Sequence, residues 1–233
     1  MIFRRISWWL SGLIAAVVLS PIAVLCALGL GADLDFGGSL PRILGNTLAL
    51  AALTMVGAVL LGVPLALVTR YASLPGQRFW VALLCAPLAV PSYLGAFAFF
   101  AAFGPGGEMT ALTGIATPSV QGLAGATLVM TLYTFPFVLL STRAALAGLD
   151  ASVVDAARTL GMSLPMALLR VVLPRARNGI AAGALLVALY TLSDFGTPAI
   201  MRLDTFTRVI YVEYNAFGLG QAALLSLQLL GLV

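Results

Sequence analysis

The chain has 233 residues, 61% of them hydrophobic and 9% charged, with a formal net charge of +4 and a mean hydropathy of +1.09. Soluble domains carry about 25% charged residues, so a water-soluble globular fold is excluded and an all-α polytopic membrane protein is expected. Histidine and lysine are both absent, which removes Ser-His and Cys-His nucleophiles, most zinc sites and any phosphate loop of the GxxxxGK(S/T) type.

In chain order, Phe3-Arg4-Arg5 leads into an apolar run from Ile6 to about Leu30. It is long for a cleaved signal and lacks an A-x-A site, so it reads as an uncleaved first transmembrane helix. Asp33 to Gly38 form a polar, turn-forming loop. A second span runs from about Leu44 to Val68, with Asn46 or Thr47 as its expected cap and Gly57, Gly62 and Pro64 inside it. A third covers about Phe79 to Phe103 and contains Pro87 and Pro91. After a glycine-rich loop, a fourth runs from about Gln121 to Thr142, broken at Phe135-Pro136. A fifth covers about Asn178 to Met201 and opens on Gly179 and Gly183, whose small-xxx-small spacing lets helices approach closely. Abundant glycine and alanine would give the same spacing. A mixed loop from Arg202 to Asn215 precedes a last apolar run, Ala216 to Val233. Cys26 and Cys85 lie in apolar runs, in no metal spacing, and read as small core residues.

The result is a bundle of about six transmembrane helices. With the N-terminus inside, nine arginines fall on inner segments (4, 5, 70, 78, 143, 158, 170, 175 and 177) and three on outer loops (42, 202 and 208). That bias orients the chain with its N-terminus in the cytoplasm. No basic, aromatic-studded soluble face is present to hold nucleic acid.

The polar segment Asp150 to Arg177 therefore faces the cytoplasm. Val153, Ala156, Ala157 and Leu160 fall on one side of a short helix over 153–160, with Asp155 and Arg158 spaced to pair on the other. Asp150 suits the start of that helix and Gly161 its end. Ser163 can cap a second helix, with Pro165 in its first turn, carrying Leu164, Leu168, Val171 and Val172 and stopping before Pro174. A docking knob for another protein and an amphipathic hairpin on the headgroups both fit this pattern.

Asp155-Ala156-Ala157-x3-Gly161-x9-Val171-x-Leu173-Pro174 resembles the EAA loop of type I (MetI-like) permease subunits of binding-protein-dependent ABC importers, with aspartate in place of the usual glutamate. Asn46-Thr47-Leu48 and Gly62-x-Pro64-x-Ala66 resemble the start of the same domain. The likeness divides the chain into residues 1–43, a first helix and periplasmic loop, and 44–233, the importer domain, with the loop at 143–177. It implies that Asp155, Ala156, Ala157, Gly161, Leu173 and Pro174 couple the chain to a separate, dimeric ATP-binding subunit. ATP would be used by that partner, and this chain would bind no cofactor and perform no covalent chemistry. It also implies a periplasmic substrate-binding protein and residence in a bacterial inner membrane.

Asp194 is an ionisable residue within a span, which raises a functional role for Ser193, Asp194 and Gly196 in the translocation path. A position near the interface, or a bond to a neighbouring helix, would explain it equally. The stretch Asp194-Phe195-Gly196…Asp204-Thr205-Phe206-Thr207-x-x-Ile210-Tyr211 resembles the ferric-iron branch of these permeases. Members of that branch are often double-length, so a second permease half, fused or separate, is expected. Ferric ion prefers oxygen ligands, yet Asp194 stands alone in its span, as suits a conduit that releases its cargo. Thiamine, polyamine and sulfate importers share the scaffold. A secondary transporter driven by an ion gradient is the rival from another class, whereas an intramembrane aspartyl protease would need a second membrane aspartate.

Overall fold

A computed structural model describes residues 2–31, 38–115, 120–150, 152–216 and 218–232. All regular structure among them is helical. Three helices are long and apolar enough to cross a membrane, and two bent helix pairs bring the number of candidate spans to five. The outer loop expected at 33–38 lies mostly outside the described residues.

The chain packs as two units. One comprises residues 1–44 and 204–233. It contains α1 (Ile2–Gly29), the first turn of α2 (Leu40–Tyr71), α12 (Phe206–Asn215) and α13 (Leu219–Leu232). Ile43, Phe206 and Leu225 form its buried core. Gly29 lets α1 lie close to α13, where a Cβ would meet the Leu227 side chain at 3.5 Å. Most of α1 is exposed, including Cys26. That residue is therefore not a core cysteine, although the helix that carries it packs against α13. The segment expected as a mixed loop, 202–215, is helical from Phe206 onward: Thr205 occupies the cap position in extended backbone, and Asp204 pairs with Arg208 one turn later.

The other unit, residues 45–203, is built around α6 (Gly122–Ala147). This helix is apolar or small on every face, and Ala126, Val129, Met130, Thr134, Val138, Leu139, Thr142 and Leu146 are all buried. A helix apolar all round belongs inside a bundle. It is not broken at Pro136 and it runs beyond Thr142 to Ala147, so Arg143 lies on a helix rather than in the loop. Proline is accommodated here because neighbouring helices pack closely. On one side, Gly62 of α2 approaches so near that a Cβ would sit 2.8 Å from the Phe135 carbonyl oxygen and from Val138 Cβ. On the other, a Cβ on Gly183 of α10 (Arg177–Ser193) would sit 2.7 Å from Val138 Cα, and one on Gly179 2.8 Å from the Ser141 carbonyl oxygen. The small-xxx-small pair is thus a close-approach surface.

Helix α2 starts at Leu40, earlier than expected, with the N–H groups of Arg42 and Ile43 bonded to the Ser39 carbonyl. Asn46 and Thr47 lie inside the helix instead of capping it. The third span is not one helix. It comprises α3 (Gln77–Cys85), a 3-10 turn (Ala86–Ala89) and α4 (Ser92–Phe103), followed by the short α5 (Glu108–Thr113). The two arms bend by 90° at the break. The cause is Pro91, which holds Val90 in extended backbone (φ −108°, ψ 130°) and donates no N–H. Cys85 is partly buried against the core of Ala58, Val138 and Val187. The fifth span also breaks: α10 ends at Ser193 and α11 (Gly196–Ile200) follows.

Candidate functional site

Two places in the larger unit concentrate the residues singled out by the sequence. The first is the polar loop, which begins at Gly148 once α6 has ended. Asp150 starts it. Its Oδ1 accepts the Ser152 N–H at 3.0 Å and its carbonyl accepts the Val153 N–H at 3.2 Å. The backbone bond from Ser152, and then the Ser152 side chain, hold the Asp150 carboxyl below its usual range. Helix α7 (Ser152–Thr159) follows. It closes through paired reverse bonds, Met162 N–H to the Ala157 carbonyl (3.2 Å) and Gly161 N–H to the Arg158 carbonyl (3.0 Å). This is the Schellman termination, which requires a left-handed residue, and Gly161 supplies it with φ +85°.

Ser163 takes the cap position of the next helix without a side-chain bond, and Pro165 sits in its first turn. Helix α8 (Leu164–Ala167) passes through a π-helical turn, Leu168–Val172, into α9 (Leu173–Arg175). The second helix therefore continues through Pro174 instead of stopping before it. In the wider turn the Leu173 N–H reaches back to the Leu168 carbonyl, and a proline, which has no N–H to place, follows at the first turn of α9. A 70° bend then joins this arm to α10.

Burial sorts the loop into two faces. Val154, Leu168, Val172 and Ala176 pack with Ala66 of α2 and Leu146 of α6. Ala157 is buried too, but Ala156 is exposed and Leu160 is 80% exposed. The inward face of α7 is thus Val153, Val154 and Ala157 rather than the Val153-Ala156-Ala157-Leu160 set expected from periodicity. The Schellman turn ends the helix at Thr159, leaving Leu160 outside it. Among the described residues Asp155 and Arg158 form no ion pair; both are exposed, where such pairs gain little. The outward face carries Asp155, Ala156, Leu160, Met166 and Leu169, the last 60% exposed. Leu173 is half-buried and Pro174 exposed.

The second place is where the two broken spans meet, α4 against α11. Asp194 lies in the break after α10, with extended backbone (φ −75°, ψ 125°). Its Oδ2 accepts the Thr197 N–H at 3.0 Å and so starts α11, and its Oδ1 accepts the Ser92 hydroxyl at 2.6 Å. Ser92 is the first residue of α4, immediately after Pro91. Gly196 lies against Tyr93, with no room for a Cβ between them. Asp194 and Gly196 are therefore brought together with α4. Ser193 is turned away: its hydroxyl donates to the Leu189 carbonyl (2.8 Å) on an exposed face. Sequence reasoning missed Ser92 and Tyr93. The signal was there in Pro87 and Pro91, four apart, with a helix-starting serine directly after the second.

No cluster of three or more His, Cys, Asp or Glu side chains that would hold a metal ion occurs among the described residues. The stretch from Asp204 to Tyr211 builds the start of α12. There Thr205 and Thr207 hydroxyls meet at 3.1 Å and Phe206 is buried.

Residues 58–233 match the model of a family described as binding-protein-dependent transport system inner membrane component. A probable molybdenum ABC transporter permease of Haloferax volcanii is 32% identical over 191 residues, which are 80% of this chain and 69% of the relative. A ferric-iron transport system permease of Haemophilus influenzae is 28% identical over 201 residues, 86% of this chain. This chain spans only 37% of that relative's length. In fold, the chain is similar to a subunit of the MetNI methionine ABC transporter in an inward-facing conformation. The TM-score is 0.67 at 18% identity, covering 87% of this chain and 93% of the other.

Proposed function

The chain belongs to the family of inner membrane components of binding-protein-dependent transport systems and is an ABC importer permease subunit, and from that premise we propose how it works and what it carries. The exposed face of the loop, Asp155, Ala156, Leu160, Met166 and Leu169, docks on a cytoplasmic ATP-binding subunit. That subunit acts as a dimer and hydrolyses ATP, since this chain has no lysine for a phosphate loop. Gly161 sets the angle between the two arms, and Leu173-Pro174 lead the second arm into α10. The observation that carries this reading is the division of the loop into a face packed on α2 and α6 and a face left to solvent. A push on the outer face must move the helices beneath, because packed cores do not deform continuously.

The push would reach α10, and through Asp194 and Ser92 the break in α4. Discontinuous helices crossing within a membrane are a common setting for a transporter's substrate site, so the path runs beside Asp194, Gly196 and Tyr93. A second permease half completes it, and a periplasmic binding protein delivers the cargo. The basic loop lies on the cytoplasmic side of a bacterial inner membrane, with the N-terminus inside.

For cargo, ferric iron is the proposal, supported by the likeness of 194–211 to the ferric branch and by the Haemophilus relative. Capture belongs to the binding protein, because an open path of weak ligands is what release requires. The Haloferax relative, a probable molybdenum permease, and a molybdate/tungstate permease of Thermococcus kodakarensis favour molybdate as the second reading. Proteoliposomes holding the permease, its ATPase subunit and its binding protein test both parts. ATP-dependent uptake of labelled ferric ion, indifferent to collapse of ion gradients, is expected. Uptake of molybdate, thiamine or a polyamine in its place would overturn the iron assignment alone. Gradient-driven uptake without ATP would overturn the importer mechanism for this chain.

A further inference from the structure

Where α2 ends and α3 begins, a cleft of about 410 Å³ is lined by Gln77, Arg78, Val81, Ala82, Cys85 and Arg143. Two arginines therefore line one small space. Arg143 is half-buried, and one of its N–H groups (Nη1) donates to the Thr69 carbonyl at 2.6 Å. The Gln77 side chain donates to the same carbonyl. Both residues thereby close the end of α2, and Arg143 also brings positive charge to the helix C-terminus. Guanidinium carries five donors in a fixed fork, so one bond to Thr69 leaves most of the Arg143 fork for something else. Among the described residues neither Arg78 nor Arg143 has a carboxylate within 4.0 Å. Half-burying the Arg143 guanidinium without a counter-ion is unfavourable, and an anion reaching it past the exposed Arg78 would offset that cost.

The surroundings say which anion. One wall of the cleft is apolar, from Val81, Ala82 and Cys85. The same short helix exposes Phe79 and Trp80, whose rings meet edge-on at 5.8 Å, and the Trp80 indole N–H donates to the Pro75 carbonyl at 3.2 Å. Tyr71, with Arg70 over its ring, adds another aromatic and basic pair at the end of α2. Aromatic residues beside arginine at the ends of spans mark the headgroup layer, and basic pockets between spans hold anionic headgroups. The guanidinium fork matches phosphate oxygens.

We infer that the cleft between α3 and α6 is a phospholipid site, in which Arg78 and Arg143 hold the phosphate of an anionic headgroup while Val81, Ala82 and Cys85 carry the start of its glycerol and acyl chains. Occupation would tie α3 to the end of α6, beside the coupling loop, so that lipid charge tunes transport.

Native mass spectrometry of the intact transporter, taken from mixed micelles of phosphatidylglycerol and phosphatidylcholine, tests this. Preferential retention of phosphatidylglycerol is expected, falling about tenfold in Arg78→Gln, as for loss of one charge-assisted bond. Arg143→Lys, which keeps the charge and a donor to Thr69, should keep part of it. Arg78 is exposed, so its substitution leaves the fold intact. Inorganic phosphate added in excess separates two sources of the same chemistry. Unchanged retention supports the lipid, and displacement keeps the phosphate site but gives it to a free oxyanion. Equal retention of both lipids, unaltered by Arg78→Gln, would overturn the inference. So would loss of the ATPase subunit from Arg78→Gln with lipid retention unchanged, which would make the pair a protein contact.

Discussion

A carboxylate that accepts hydrogen bonds from two different elements is harder to replace than one that faces solvent alone. Asp194 accepts from Ser92 on α4 and from the Thr197 backbone on α11. Its removal leaves a buried hydroxyl and a backbone N–H without that acceptor, a loss of about 1–3 kcal/mol. Asp194→Ala should therefore lower the melting temperature of the detergent-purified transporter more than Ser92→Ala does. The double variant should be no worse than Asp194→Ala, because the two changes remove one shared bond; strictly additive losses would refute the contact. Asp150 makes a different prediction. Its carboxyl is held below the usual range by the Ser152 N–H. The bond that starts α7 is thus complete above about pH 4, the ordinary carboxylate value, and is lost as pH falls through the lower folded value. Hydrogen exchange at Ser152 should lose protection across that acid window, and Asp150→Asn should abolish the pH dependence. The sequence showed that an aspartate at 194 was unusual; it could not show Ser92 as its partner, since 102 residues separate them.

At the scale of elements, two kinds of glycine act for different reasons. Gly183 is needed for closeness, since a Cβ there would collide with the α6 backbone at Val138. Gly183→Leu should destabilise the bundle by at least the roughly 1–3 kcal/mol of an overpacked core, read as a lower thermal midpoint and poor recovery from the membrane. Gly161 is needed for its angle. Nothing lies within 4 Å of a Cβ built there, but φ is +85°. Asparagine tolerates that region and valine does not, so Gly161→Asn should retain more ATP-coupled uptake than Gly161→Val, with both inserting normally. Equal activity of the two would mean that the turn is not held in the coupled state. Gly161 was legible as the end of a helix, whereas the spacing of Gly179 and Gly183 fitted plain abundance of glycine and alanine equally well. The breaks in the third and fifth spans were half-legible: Pro87 and Pro91 announced trouble, but a 90° bend depends on what α4 packs against. Pro136 announced trouble that did not come, because α2 and α10 pack closely on α6 around it. Leu160 misled in the same way, as a helical period cannot say where a Schellman turn will cut it off.

For the whole molecule, composition alone placed the chain in a membrane, and the cytoplasmic side proposed for the polar loop rests on the arginine bias. Which helix lies at the centre of the larger unit was not legible, because apolar residues face lipid as readily as protein. The central claim is that force enters through the outer face of this loop and reaches α10 by rigid packing. Leu160 tests it most directly, since it is 80% exposed and contributes nothing to the core. The intact transporter carrying Leu160→Asp should insert and melt like the wild type, while co-purification of the ATPase subunit and ATP-driven uptake both fall at least tenfold, the effect of losing about 1.4 kcal/mol at an interface. Wild-type uptake with the ATPase subunit still bound would contradict it.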